Sequence, residues 1–237
     1  MLNKEEFKRY LKQVMLDDIG LEGQNTLKNA RVAVVGAGGL GCPVLQYLNS
    51  TGIGTLGIID FDVVEESNLH RQVLYGQAHI GQKKAETASR QLAAQNPHTV
   101  FEVHHVLLNE ENVSEILSAY DVIVDGCDNF ATRYVVNDAC VHLEKPLIYG
   151  SILGYNGQIA GFNINGSKNL RDLFEEAPNP EDVPSCSENG VLATVPGIIG
   201  LLMAQFTIDV ILKRFLFQDK FIVFNTSTMD RTILSIS

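Results

Sequence analysis

Gly36-Ala37-Gly38-Gly39-Leu40-Gly41 directly follows the apolar run Arg31-Val32-Ala33-Val34-Val35, and a second apolar run is closed by an acid, Asp60. Residues of these types at this spacing can hold a nucleotide. Gly36 permits a sharp exit from a strand, Gly38 and Gly39 let the main chain approach a phosphate, and Gly41 allows close helix packing. A helix that starts here offers unpaired N–H groups to an anion. Asp60, at the end of the second strand, can accept hydrogen bonds from both ribose hydroxyls. Glycines alone would also suit a tight strand-to-helix turn without a ligand; the spaced acid favours the nucleotide.

The run from Asp60 to Gln72 continues through Asp62, Asn68 and Arg71, a set for which a dehydrogenase has no evident need and a triphosphate does. Arg71 offers a planar fork for phosphate oxygens, and Lys84, in Gly81-Gln82-Lys83-Lys84, can place a point charge beside them. Singly, each would pass as a surface charge. Farther on stands Asp125-Gly126-Cys127-Asp128-Asn129, at the end of another inner strand. Asp128 suits Mg²⁺, which takes one or two carboxylates plus phosphate oxygens. Its other reading is an N-cap for a helix beginning near Ala131.

These groups need a frame, and the pattern supplies an α/β one. Strands are expected at Val100–Val106, Asp121–Asp125 and Pro146–Gly150, with helices over 81–95, 111–119 and 130–144 between them. Such alternation implies a parallel, Rossmann-like sheet with helices on both faces. Residues 4–13 and 21–29 read as helices of an N-terminal arm (1–30), ahead of a nucleotide-binding core (31–150). After Gly150 the pattern changes: a turn enters a strand over 154–162, and a long polar loop follows at 166–190. An apolar helix at 191–212 and a terminal hairpin, Phe221–Phe224 with Thr232–Ile236, complete an antiparallel extension (151–237) of one single domain.

The 237 residues are 45% hydrophobic, enough for a sizeable core, and the formal net charge of −10 argues against DNA or another nucleic-acid backbone as principal ligand. The charged start, Met1-Leu2-Asn3-Lys4-Glu5-Glu6, has no apolar stretch of the secretory kind, so a cytoplasmic location is expected. Pro196, Gly197, Gly200, Gln205 and Asp209 interrupt the 191–212 segment, which reads as a core or subunit-interface helix rather than a membrane span. Cys42, Cys127, Cys140 and Cys186 fit neither a zinc pair nor a disulfide scaffold. His104 and His105, adjacent on a strand, face opposite sides and cannot easily chelate one metal.

Arg9-Tyr10 with Gln13 and Leu16, the Gly36–Gly41 loop, Asp60-Phe61-Asp62, Ser67-Asn68-Leu69-His70-Arg71-Gln72, Gly81-Gln82-Lys83-Lys84, Asn96-Pro97 and Cys127-Asp128-Asn129 occur in one order. In this the chain resembles the MoeB/ThiF/HesA family of ubiquitin-activating-like adenylyltransferases, from about Arg9 to the terminal hairpin. The resemblance implies that ATP and Mg²⁺ are used to adenylate the C-terminal glycine carboxylate of a small ubiquitin-fold sulfur-carrier protein ending in Gly-Gly, with release of pyrophosphate. It gives phosphate to Gly39 and its neighbours, ribose to Asp60, the triphosphate to Asn68, Arg71 and Lys84, and magnesium to Asp128. A homodimer follows from the family and from the apolar helix.

The chain also departs from that family. The two Cys-x-x-Cys pairs that hold a structural zinc in many members are missing, Asn169 and Asp172 standing where the first would fall, so no zinc site is expected. Lys12 takes the place of an arginine that reaches the neighbouring subunit's nucleotide, and it lacks the bidentate fork. Cys186 aligns with a thiol that in some relatives links covalently to the carrier; a spare cysteine is the other reading. Two further readings stay open: ATP-dependent activation of a tRNA nucleoside or a peptide carboxylate, and an NAD-binding oxidoreductase or non-catalytic nucleotide-binding module.

Overall fold

The computed structural model describes residues 1–178 and 190–237. Its centre is an eight-stranded sheet in the order β3-β2-β1-β4-β5-β6-β7-β8. The strands are β1 (Arg31–Val35), β2 (Thr55–Ile59), β3 (Val100–His104), β4 (Val122–Asp125), β5 (Leu147–Leu153), β6 (Asn156–Phe162), β7 (Lys220–Asn225) and β8 (Arg231–Ser235). The first five run parallel, while β6, β7 and β8 add on antiparallel to their neighbours.

Successive side chains of a strand point to opposite faces, so the apolar runs of β1, β2 and β4 feed two cores at once. Val32, Val34, Leu56, Ile58, Val122 and Val124 pack with Leu45, Leu48, Leu92, Ile199 and Met203. Those residues come from α3 (Gly41–Thr51), α4 (Lys84–Gln95) and α8 (Thr194–Ile211). On the other face Ala33, Val35, Ile59, Ile123 and Tyr149 pack with Leu117, Val136 and Cys140. These belong to α5 (Val113–Ser118) and α6 (Phe130–His142).

The N-terminal pair α1 (Lys4–Val14) and α2 (Gly20–Asn29) is docked rather than free. Tyr10 is 3% exposed, and its hydroxyl accepts from Asn96 Nδ2 at 2.8 Å. The side chains of Gln13 and Gln24 both donate to the Thr51 carbonyl. Thr51 and Asn96 precede β2 and β3, so α1 lies at the amino-terminal end of the sheet.

Most elements lie where the pattern expects them, with shifted ends. The helix expected from residue 81 begins at Lys84, because Lys83 forms an isolated bridge with Val63. Strand β5 runs to Leu153, three residues past the expected end, because β6 pairs with it along its whole length. The expected loop at 166–190 contains a one-turn helix, α7 (Leu170–Leu173). Asn169 and Asp172 cap it reciprocally, and Arg171 pairs with Asp138 of α6 at 2.7 Å. Helix α8 is long and apolar enough to span a bilayer, yet half of it is buried. It lies so close to α3 that a Cβ on Gly200 would meet the Leu40 carbonyl at 2.7 Å.

Candidate active site

The strand order reverses between β1 and β4, and the crevice beyond their carboxyl ends is where open α/β sheets bind ligands. The glycine loop sits there. Gly36 has φ +87°, a left-handed conformation that leaves β1 sharply, and a Cβ on Gly41 would stand 1.8 Å from the Gly36 carbonyl. The turn therefore needs glycine at both ends. The N–H groups of Gly38, Gly39 and Leu40 have no acceptor among the described residues. They are the open donors at the start of α3, the kind of helix end that suits an anion.

Asp60 is 8% exposed, and two main-chain donors orient its carboxylate: Ala37 N–H at 2.7 Å and Asp62 N–H at 2.8 Å. Burial pushes this carboxyl above its ordinary range, against the pull of the Ala37 N–H and the Lys84 charge. Lys84 is not the surface charge its residue type suggests. Its side chain is 7% exposed, and Nζ lies 3.0 Å from the Asp62 carboxylate, itself 48% exposed.

The segment after β2 folds back over the loop. Arg71 Nη1 donates to the Ser67 carbonyl at 3.0 Å, and Arg71 Cδ would lie 3.7 Å from a Cβ on Gly39. Gln72 is buried; its Nε2 would stand 3.6 Å from a Cβ on Gly38, and its Oε1 has no partner among the described residues. Asn68 is also buried, with Oδ1 accepting from the Glu65 N–H at 3.3 Å. Pro196 of α8 closes the far side, 3.3 Å from the same Gly39 position. Thus Gly38, Gly39, Asp60, Asp62, Arg71, Gln72 and Lys84 converge on one crevice.

Beyond β4 the two readings of Asp128 separate. The cap belongs to Asn129, whose Oδ1 accepts from the Thr132 N–H at 2.8 Å, so Asp128 is not the N-cap of α6. The Asp128 carboxylate is exposed and has no hydrogen bond among the described residues. Behind it, Asp125 is 1% exposed and accepts from the Cys127 N–H at 3.0 Å. Arg133 Nη2 donates to the carbonyls of Cys127 at 2.7 Å and Gly150 at 2.8 Å, and its guanidinium lies 4.7 Å from the centre of the Tyr149 ring. Burial pushes the Asp125 carboxyl up, against the Arg133 charge.

Lys12 is exposed on α1, at the opposite end of the sheet, so it cannot serve the crevice of its own chain. Cys186 lies outside the described residues. His104 and His105 go to separate partners, the Tyr120 hydroxyl and the Asp60 carbonyl. Pattern reading missed Tyr75, Arg133 and the support given by Asp125. An acid closing an inner strand was a signal for Asp125, as it was for Asp60; the other two act through tertiary contacts that no local spacing announces.

The model of the ThiF family matches residues 10–237. The chain is 49% identical over 214 residues to a sulfur carrier protein adenylyltransferase of Thermus thermophilus, spanning 88% of this chain and 79% of that one. It is 47% identical over 212 residues to an adenylyltransferase and sulfurtransferase MOCS3 of Anopheles gambiae, spanning 90% of this chain but 48% of the relative. The chain thus spans about half the length of several curated relatives it matches. Among solved structures, Escherichia coli MccB with ATP superposes with a TM-score of 0.80 at 21% identity, over 100% of this chain and 80% of that one. At that identity the likeness concerns the fold. The extent of the family match and the identity to the Thermus relative settle the classification: this chain is a member of the ThiF family.

Proposed function

We propose that the chain is an ATP- and Mg²⁺-dependent adenylyltransferase that activates the C-terminal glycine carboxylate of a small ubiquitin-fold sulfur-carrier protein, releasing pyrophosphate. The observation that carries this reading is the convergence of three acceptor-free N–H groups, the buried Lys84 ammonium and Arg71 on one crevice beside the oriented Asp60 carboxylate. In the reaction a carboxylate oxygen bonds to the α-phosphorus as the bond to the β-phosphate's bridging oxygen breaks, and the electron pair leaves with pyrophosphate. A carboxylate at neutral pH needs no general base. Alignment and neutralisation of developing charge therefore dominate the rate.

Within that scheme the loop amides and Arg71 bind phosphate, Asp60 holds ribose, and Lys84 exchanges Asp62 for a phosphate oxygen. Asp128, exposed and without a hydrogen bond among the described residues, fits a single carboxylate ligand for Mg²⁺, which when bound would offset the charge of the departing phosphates. The carrier reading takes support from the name of the Thermus relative, a sulfur carrier protein adenylyltransferase at 49% identity. Exposed Leu153, Tyr155 and Leu192 give an apolar rim on the crevice side of the sheet, beyond the carboxyl end of β5. An ATP-consuming step of this kind suits the cytoplasm. A homodimer would let Lys12 serve the partner's crevice, and exposed Phe7, Leu11, Met15 and Leu16 offer an apolar surface near it; a sedimentation mass of one chain would rule that out.

Incubation with ATP, Mg²⁺ and ³²P-pyrophosphate tests the function. Exchange that depends on a Gly-Gly carrier is expected; exchange that needs tRNA or a peptide supports the alternative substrates, and no exchange sinks the enzymatic reading. Asp128→Ala should abolish exchange at an unchanged melting temperature. Cys186→Ala should retain it, because adenylation forms no bond to sulfur.

A further inference from the structure

The crevice is held from behind by a residue outside the nucleotide-contact set. Tyr75 is 7% exposed and its ring belongs to the core under α3 and α4. Its hydroxyl donates to the Ala37 carbonyl at 2.9 Å and lies 3.3 Å from the Lys84 carbonyl. A phenol has one proton, so the shorter contact to Ala37 is the principal bond. The Cys42 thiol donates to the same Ala37 oxygen, at 3.3 Å. Burial raises both groups, the thiol to about 12, so both stay protonated donors near neutral pH.

The consequence follows from peptide geometry. No peptide bond among the described residues is cis, and in a trans peptide C=O and N–H point in opposite directions. Drawing the Ala37 oxygen into the core turns the Gly38 N–H of the same peptide plane outward. That N–H is one of the three without an acceptor. The preceding plane is fixed independently, by the Ala37 N–H on Asp60. Three side chains from beyond the loop thus set the two planes on either side of Ala37, Tyr75 and Cys42 the one and Asp60 the other. Resting on the nucleotide reading above, we propose that Tyr75 is a positioning residue that, assisted by Cys42, aims the Gly38 amide at a phosphate of the bound nucleotide. The same Tyr75 hydroxyl lies 3.3 Å from the Lys84 carbonyl, so the loop is seated beside the start of α4, where Lys84 stands.

Calorimetry of wild type and Tyr75→Phe with adenosine and with ATP tests the assignment. A hydrogen bond to a charged group is the kind at stake, and its misalignment should weaken ATP binding about tenfold. Adenosine lacks phosphate, so its affinity should stay within about twofold. A purely structural role would weaken both ligands alike, and that result, or unchanged ATP affinity, overturns the role of Tyr75 alone. Wild-type protein that binds neither ligand overturns the nucleotide reading and this proposal together. Cys42→Ala should show the same ATP-selective loss at smaller size, about fourfold with adenosine unchanged, and if Tyr75→Phe does not fold, wild-type ATP affinity in Cys42→Ala overturns the assignment.

Discussion

Two acid–base pairs stand behind the carboxyl ends of the parallel strands, and they have opposite characters. Arg133 and Asp125 are sealed, with side chains 5% and 1% exposed and 3.9 Å between Nε and Oδ2. Arg133 is further engaged by two carbonyls and an aromatic face. Lys84 and Asp62 sit closer, at 3.0 Å, but Asp62 is 48% exposed and the ammonium has no other side-chain acceptor among the described residues. A cation bound to fixed carbonyls inside the protein holds structure. A cation whose one partner can turn to solvent is available for a ligand.

Removing the sealed cation gives the largest expected effect. Arg133→Leu leaves the Asp125 carboxylate buried and uncompensated, and it frees the Cys127 and Gly150 carbonyls. A loss of about 3–5 kcal/mol in urea unfolding is expected, the range for breaking a buried pair from one side. A loss under about 1 kcal/mol would show that Arg133 is dispensable to the fold. The double variant Arg133→Leu/Asp125→Leu should recover part of the loss, since no charge is then stranded.

Lys84→Ala reverses the balance between stability and activity. The abandoned Asp62 carboxylate can hydrate, so the melting temperature should fall by only a few degrees, whereas kcat/KM for pyrophosphate exchange should fall roughly 10²–10³-fold, as on removal of one charge-stabilising donor. Arg fits the charge but not the buried approach, so Lys84→Arg should not restore full activity. Equal damage from Lys84→Ala and Arg133→Leu in both assays would erase the distinction drawn between the two pairs.

The same contrast explains what was legible in the sequence. The Gly36–Gly41 turn and Asp60 could be read because local backbone geometry demands those residue types within one βαβ unit. The parallel order could be read from alternating periodicity, and the antiparallel extension from the change of pattern after Gly150. Lys84 was legible as a charge but not as a buried one, because its burial comes from tertiary packing of the start of α4 against the segment after β2, where Asp62 stands. Arg133 could not be read at all: its acceptors, Cys127 and Gly150, are brought together by the pairing of β4 with β5. Tyr75 is a similar case, reaching back across the core to Ala37. Asn129 and Asp128 show the limit of spacing, since both could cap α6 and only the structure shows which one does.

A third charged group, away from the crevice, sharpens the comparison at the small end. On β3, Glu102 accepts from Arg31 Nη2 at 2.8 Å through both oxygens and from the Tyr120 hydroxyl at 2.8 Å. Arg31 holds this carboxyl below its ordinary range despite the cost of partial burial. The folded value is thus below the unfolded one, so its stabilisation is fully present above the unfolded carboxylate range near pH 4 and is lost as pH falls through the folded value. Arg31 and Glu102 are each more than a third exposed, so solvent screens the pair and its worth should stay under about 1 kcal/mol. Glu102→Gln should therefore flatten the acid limb of a stability profile between about pH 5 and pH 2 while leaving exchange activity at neutral pH unchanged. An acid limb as steep as wild type's would mean that other carboxylates, such as Asp138 beside Arg171, dominate acid unfolding. Loss of exchange in Glu102→Gln would instead connect this edge of the sheet to the crevice, through β2 and the Asp60 that follows it.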